Sequence, residues 1–350
     1  MIRTRVATMW VAMGVLGPGL PTLAASQDKA PGVKVGGVVY AQYLYQLADE
    51  ADGANNFDIT RAYINVNGAL GSGFATRVTA DIYRVDDGSL AYRLKYAYGA
   101  YTPDGSPVTL KLGQIQTPWI DFEEALWDYR MQGTIAMDRN GYLGSSDFGA
   151  SADGSWGGNR VSAQLGVYNG EGYNRAPGDK GKDLMGRVSV QLLPTDDAGR
   201  TGGLRLSGYG QTGSPTGGGI RQRALGMLSY RSKLVTLAGE YAMTRDRRDD
   251  PPAPALPDPE TVSGRVITAF GVLRIPRSPV SVIGRVDVVD PDTGGPDDRR
   301  TRYIGGVAYQ VTPTLRLLAD VDHLSYEGGA PTPAAAAARS QALFQASFSF

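Results

Sequence analysis

Few side chains in this chain of 350 residues can do covalent chemistry. There is no cysteine and one histidine, His323. That removes thiol nucleophiles, disulfides and multi-histidine metal sites, and ties any serine–histidine pair to one position. The groups left to act on a solute are ionic. The stretch 116–141 holds Asp121, Glu123, Glu124, Asp128 and Asp138 against Arg130 and Arg139, with no lysine and a charge of −3. Elsewhere single cations recur between apolar residues: Arg61, Arg77, Arg93, Lys95, Lys111, Arg160, Arg187, Arg205, Arg285 and Arg316. Charges so spaced attract, repel and orient ions or dipoles. The full chain has 35 basic and 35 acidic residues, so no bulk field draws it to nucleic acid.

Such charges need elements that alternate. In the last segment, Ala342, Phe344, Ala346, Phe348 and Phe350 fall on one face, and Gln341, Gln345, Ser347 and Ser349 on the other. A period of two is a strand. The same logic divides the chain into sixteen segments. The first eight are 33–46, 57–69, 73–84, 90–101, 107–115, 142–153, 158–168 and 183–193. The second eight are 202–211, 220–231, 233–245, 261–274, 279–289, 301–311, 314–325 and 340–350. Connections at 70–72, 102–106, 154–157, 232, 275–278 and 312–313 are short. Those at 47–56, 116–141, 169–182, 246–260, 290–300 and 327–339 are long. A strict long–short alternation predicts an up-and-down barrel with one elaborated rim. The expected fold is all-β, a sixteen-stranded antiparallel transmembrane β-barrel.

A soluble sandwich also alternates, but sixteen such apolar faces exceed the core of one sandwich. With apolar faces turned to lipid, the ten cations above point inward, joined by Arg223, Arg265 and Arg302. Inward acids are Asp81, Asp147, Asp153, Glu240, Asp287, Asp320 and Asp322, so the wall carries an excess of +6. The opposite orientation costs about 2–4 kcal/mol per Arg or Lys at the bilayer midplane. Tyr43, Tyr45, Tyr98, Tyr101, Tyr230, Tyr241 and Tyr303 lie near strand ends and suit interfacial belts.

Residues 1–26 have a basic start at Arg3 and Arg5, an apolar stretch from Val6 to Leu16, and small residues at Ala24 to Ser26. This is the layout of a secretory signal peptide, and the apolar stretch is too short and broken for a membrane anchor. Residues 27–350 then form one barrel domain, exported to the outer membrane.

Three stretches resemble the phosphate-selective porin O/P family of Gram-negative outer-membrane porins. FDITRAYINVNGAL at 57–70 is similar to the family's second strand. LKLGQIQTPWIDFEE at 110–124 is similar to the run that opens its constriction loop. Phe350, with Phe348 and Phe344 behind it, resembles the signal read by barrel-assembly machinery. The resemblance implies a homotrimer of sixteen-stranded barrels in outer-membrane lipid, with loop 116–141 folded into the lumen as the constriction. Trp119, Asp121, Glu123, Glu124, Asp128 and Arg130 would line it. Read from its residues alone, the loop fits an external, solvated acidic face as well. The family's phosphate members carry lysine at the constriction, and this loop has none.

The expected function is a water-filled channel for passive diffusion of small hydrophilic solutes and ions. A basic wall facing an acidic loop would set a transverse field across it. The wall and the resemblance lean towards anions such as phosphate, and the loop leans the other way. The alternatives are a barrel enzyme and a surface adhesion or structural barrel. For the first, His323 shares the lipid-facing parity of its strand, with no serine and acid placed to complete a site. Gly217–Gly219 lack the strand-to-helix context of a phosphate loop. Asp290, Asp292, Asp297 and Asp298 match no EF-hand spacing. No catalytic residue, cofactor, metal or nucleic-acid partner is expected.

Overall fold

The computed structural model describes residues 31–176, 178, 180–248 and 260–350. Segment 1–26, read from its sequence as a signal peptide, and most of the Pro-rich loop 246–260 lie outside the described residues. Within them, sixteen strands close into one antiparallel barrel, each paired with its sequence neighbours and β1 with β16. The first half comprises β1 (Gly32–Gln46), β2 (Asn55–Gly71), β3 (Phe74–Arg84), β4 (Leu90–Tyr101), β5 (Val108–Gln116), β6 (Ser146–Trp156), β7 (Val161–Tyr168) and β8 (Asp183–Leu193). The second comprises β9 (Gly203–Gly213), β10 (Gly219–Arg231), β11 (Val235–Arg248), β12 (Val262–Arg274), β13 (Val280–Asp290), β14 (Arg300–Thr312), β15 (Leu315–Tyr326) and β16 (Ser340–Ser349).

The two-residue period becomes two surfaces. On β16, Phe344 is 53% exposed and its neighbour Gln345 only 1%. Leu112, Leu165, Leu228, Leu237, Val307 and Val321 extend the outward apolar band around the barrel. The barrel has no sheet edge, so backbone donors and acceptors in the wall are paired without water.

Several boundaries differ from the pattern-based reading. The β6–β7 turn lies at 157–160, not at 154–157. Gly157, Gly158 and Asn159 hold φ of 60, 66 and 71°, the left-handed backbone that makes a tight turn, while the strand runs on through Trp156. Arg160 therefore sits exposed in that turn and is not a wall residue. The strict alternation of connections also fails. Connections 85–89 and 214–218 are short on the rim of the long loops, and 194–202 is long on the opposite rim.

Parity breaks where strands bulge. Thr79 pairs with Tyr96 and Ala80 with Leu94, leaving Lys95 as the extra residue on β4. Lys95 and Tyr96 consequently both face inward, and every later residue of β4 swaps sides. Tyr98, expected in a lipid belt, is 6% exposed in the interior with Lys111 over its ring. On β12 the inner positions are Val266, Thr268, Phe270 and Val272. Arg265 is thus on the outward side, against expectation, paired with Asp290 near the rim.

Gly113 tests the close packing of β5. Its φ is +129°, and a Cβ there would meet the Ala97 carbonyl oxygen at 2.4 Å. Gly113→Val should cost about 1–3 kcal/mol through forced backbone strain. The expected readout is a lower melting temperature of the detergent-solubilised barrel by circular dichroism; an unchanged one would show that β5 can move aside.

Candidate functional site

The connection between β5 and β6 crosses the lumen. Its neck is closed where Thr117 donates to the Gly144 carbonyl at 2.6 Å. Two short helices follow, α1 (Ile120–Trp127) and α2 (Ala136–Arg139). The sequence IDFEEALW suits α1. Asp121 and Glu123 sit in its first turn, beside the positive end of the helix dipole, and Asp128 ends it in the left-handed region at φ 59°. Ile120, Phe122, Leu126 and Trp127 are buried.

What buries them is the inner wall of β8–β13, which is not the polar surface expected of a lumen. Met185, Tyr209, Leu225, Met227, Val266, Phe270, Val272 and Ile283 face inward and pack with the strap. Trp127 meets Phe270 edge-on at 5.4 Å between ring centroids, and the Arg285 guanidinium lies 5.3 Å from the Trp127 ring centre. Sequence reasoning missed this surface. The available signal was the run VITAFGVL on β12, apolar on both faces and so in need of a partner on each.

Wall cations then staple the strap. Arg187 donates to the Pro118 carbonyl at 3.0 Å, and Arg231 to that of Ala125. Arg316 donates to the Asp128 carbonyl at 2.8 Å, and Arg285 to that of Thr134 at 3.0 Å. Gln345 holds the Met131 carbonyl at 2.8 Å. Arg274 and Arg316 both approach the Asp128 carboxylate, at 3.8 and 3.6 Å. Cations at the carboxyl end of α1 also complement its dipole.

The acids of the strap are engaged in turn. Asp121 pairs with Arg200 of the β8–β9 turn at 2.8 Å, and Glu124 pairs with Arg130 at 2.5 Å. Glu123 accepts from the Trp119 indole at 2.7 Å and lies beside Glu240 of β11. Asp138 accepts from the Thr134 hydroxyl. The strap is therefore less of a free acidic face than its charge of −3 implies.

The predicted wall residues divide by role. Arg187, Arg285 and Arg316 hold the strap. Arg205 is wholly buried at the far rim, donating to the Gly202 and Asn159 carbonyls of two turns. Arg61, Arg77, Arg93, Lys95 and Lys111 lie together on β2–β5, on the side where the strap does not dock. There Asp81 contacts Arg61 at 2.5 Å and Arg93 at 3.9 Å. Arg77 bonds Thr79 and Asn65, and Lys95 donates to the Tyr63 hydroxyl. Between strap and wall is a cavity of about 380 Å³ whose lining includes Tyr40, Arg61, Arg130, Arg139, Arg302 and Asp322.

The comparisons agree on the architecture. The outer membrane channel DcaP of Acinetobacter baumannii superposes with a TM-score of 0.65 over 94% of this chain and 100% of its own, at 12% identity. OmpT of Vibrio cholerae, an outer-membrane protein, gives 0.64 over 93% and 99%, at 11% identity. OmpF of Salmonella typhi, solved in complex with daunomycin, gives 0.64 over 91% and 97%, at 11% identity. The fold is that of the outer-membrane porins. No protein-family model and no curated protein sequence matches the chain. The resemblance to phosphate-selective porins thus stands at the level of the porin fold.

His323 lies on the outer side of β15, its ring stacked on Tyr303, with Nδ1 against the Ser340 hydroxyl of β16. A serine is therefore placed beside it, which strand parity alone did not show, because the register joins His323 to Ser340. No hydrogen bond from the ring to a carboxylate is found among the described residues. Among them, too, no cluster of three acidic or histidine side chains is arranged to hold a metal.

Trp127 anchors the strap to Phe270 and Arg285. Trp127→Ala should cost about 3–5 kcal/mol, as large-to-small changes in a packed core do. The melting temperature should fall and single-channel current should become noisier, while a variant matching the wild type in both would show that the strap is held elsewhere.

Proposed function

We propose that this barrel is a passive diffusion channel of the outer membrane for small hydrophilic solutes, with preference for anions. The observation that carries the sign is the cavity between strap and wall. Four arginines, Arg61, Arg130, Arg139 and Arg302, face it with one carboxylate, Asp322, among its lining residues; Asp81 and Glu124 pair with Arg61 and Arg130 from outside that lining, which leaves one positive charge over. Asp322 is itself divided between Arg139 at 3.1 Å and Arg302 at 2.6 Å. Arg77 and Lys95 on the same side have no salt-bridge partner among the described residues. A field of this sign concentrates anions and repels cations in a narrow wet passage.

The strap is the constriction in this reading, with Arg130 at the cavity, paired with the half-buried Glu124, and Trp119, Asp121, Glu123 and Asp128 as its anchors. Because most of its acids are matched by arginine, the wall outweighs the loop. This favours anions in general, and the lysine-free strap gives phosphate no special advantage among them. One of the similar structures, OmpT of Vibrio cholerae, is described in a trimer form, which supports a homotrimer. The terminal Phe350 pairs with Gly37 across the seam, consistent with a role in barrel assembly.

Planar-bilayer recording in a salt gradient tests the reading. The reversal potential should lie on the anion side. Arg302→Gln, at a residue that lines the cavity, should move it towards cations, because one unit charge a few ångströms from an ion in water is worth about 1 kcal/mol, roughly fivefold in permeability ratio. A wild-type reversal potential near zero would defeat the anion preference, and absence of any channel would defeat the porin reading.

A further inference from the structure

The first half of the strap carries an anchor unlike the arginine staples. Glu123 of α1 and Glu240 of β11 are 1% and 3% exposed. Both direct a carboxylate oxygen at one donor, the Trp119 indole, at 2.7 and 3.2 Å. The other oxygen of each has no hydrogen-bond partner among the described residues. Two buried carboxylates thus share a single N–H.

The surrounding charges do not resolve the conflict. From β13 come Arg285 and Asp287, and these bind each other at 2.8 Å. Arg285 also donates to the Thr134 carbonyl and lies against the Trp127 ring, and its second amino nitrogen has no hydrogen-bond partner among the described residues. From β12, Thr268 donates to Asp287. From β8, Arg187 lies over the Phe122 ring and holds the Pro118 carbonyl. From β9, Tyr209 sets its ring at a tilt to Trp119, 6.0 Å between centroids, and its hydroxyl donates to Gln211. Arg285 is thus the cation nearest to hand for three carboxylates, and its one ion pair among the described residues is with the third, Asp287. Two like charges so close in a dry site cannot both ionise cheaply.

We propose that Glu123 and Glu240 share one proton and so latch the first half of the strap to β11, loosening it as the medium turns alkaline. This rests on the channel reading for its consequence, since the strap sets the width of the passage. Burial pushes the Glu123 carboxyl up to about 7, with Arg285 opposing and Asp287 adding to the rise. A carboxyl raised on docking favours the docked state at acid pH. That advantage is lost between the ordinary carboxyl value and the raised one, where the released carboxyl gives up its proton and the docked pair keeps it. Each pH unit across that interval weakens docking by about tenfold. The arginine staples at Asp128 and Thr134 do not titrate here, so the loosening is confined to the residues near Trp119.

Hydrogen exchange and conductance test this together, on the full barrel in detergent and in planar bilayers. Wild type is compared with Glu123→Gln, Glu240→Gln and the double variant, at pH 5 and pH 8. At pH 5 the amides of 119–128 should exchange alike in all four. At pH 8 they should exchange about a hundredfold faster in the wild type than in the double variant, each single variant falling between the two because burial acts on the carboxyl that remains. Wild-type conductance should rise between the two pH values and that of the double variant should stay flat. Equal exchange at pH 8, or a conductance step that survives unchanged in the double variant, overturns the latch. An exchange difference with no channel at any pH supports the latch while removing the channel reading.

Discussion

A strand inside hydrocarbon must find partners for all of its backbone N–H and C=O groups, and closure of β1 onto β16 is how this chain meets that demand. Much of the remaining architecture follows. Closing sixteen strands leaves a lumen too wide to be filled by wall side chains alone. The outer face must be apolar and the alternation therefore directs the other side chains inward, where the charged ones gather. Connections face water at the rims, and the one between β5 and β6 turns into the lumen.

The strap stays there because two kinds of contact reinforce each other. The apolar residues of α1 need burial, and the inner faces of β8–β13 supply Phe270, Val266, Met227 and their neighbours. The backbone carbonyls that burial strips of water need donors, and Arg187, Arg231, Arg285 and Arg316 supply them. Arginine suits this work, since its fork reaches a carbonyl and a ring or carboxylate at once. Arg285 does so with Asp287, Thr134 and Trp127. The lumen is thus divided into a packed half and a charged half.

Much of the barrel was legible in the sequence because alternation is a direct consequence of the pleat. The β16 pattern and the fit of sixteen segments needed nothing else. What alternation could not show was any feature that breaks it. The bulge at Lys95 reversed the sides of Tyr98, and Gly157, Gly158 and Asn159 moved a turn so that Arg160 left the wall. Arg265 was misplaced because β12 is apolar on both faces, so parity had no polar side to fix. The site was legible as a list of charges and not as a set of partners. Which arginine meets which carbonyl depends on the path of the strap, and that path depends on Trp127 finding Phe270 across 143 residues of sequence.

Pairing changes what the charges mean. A formal balance of 35 against 35 suggests no field at all, and sorting by face suggests a basic wall opposed to an acidic loop. The structure removes much of that opposition. Asp121, Glu124 and Asp128 have arginines against them, so their field at a distance of several ångströms is that of dipoles and falls off faster than that of a lone charge. Lys95 and Arg77 keep the field of monopoles, since their contacts are neutral hydroxyls and amides. A solute in the lumen therefore responds less to the inventory of charges than to those left over after pairing. The leftover charge on the β2–β5 side is positive, while Glu123 and Glu240 bury their conflict against the opposite wall, where it bears on the strap and not on the solute.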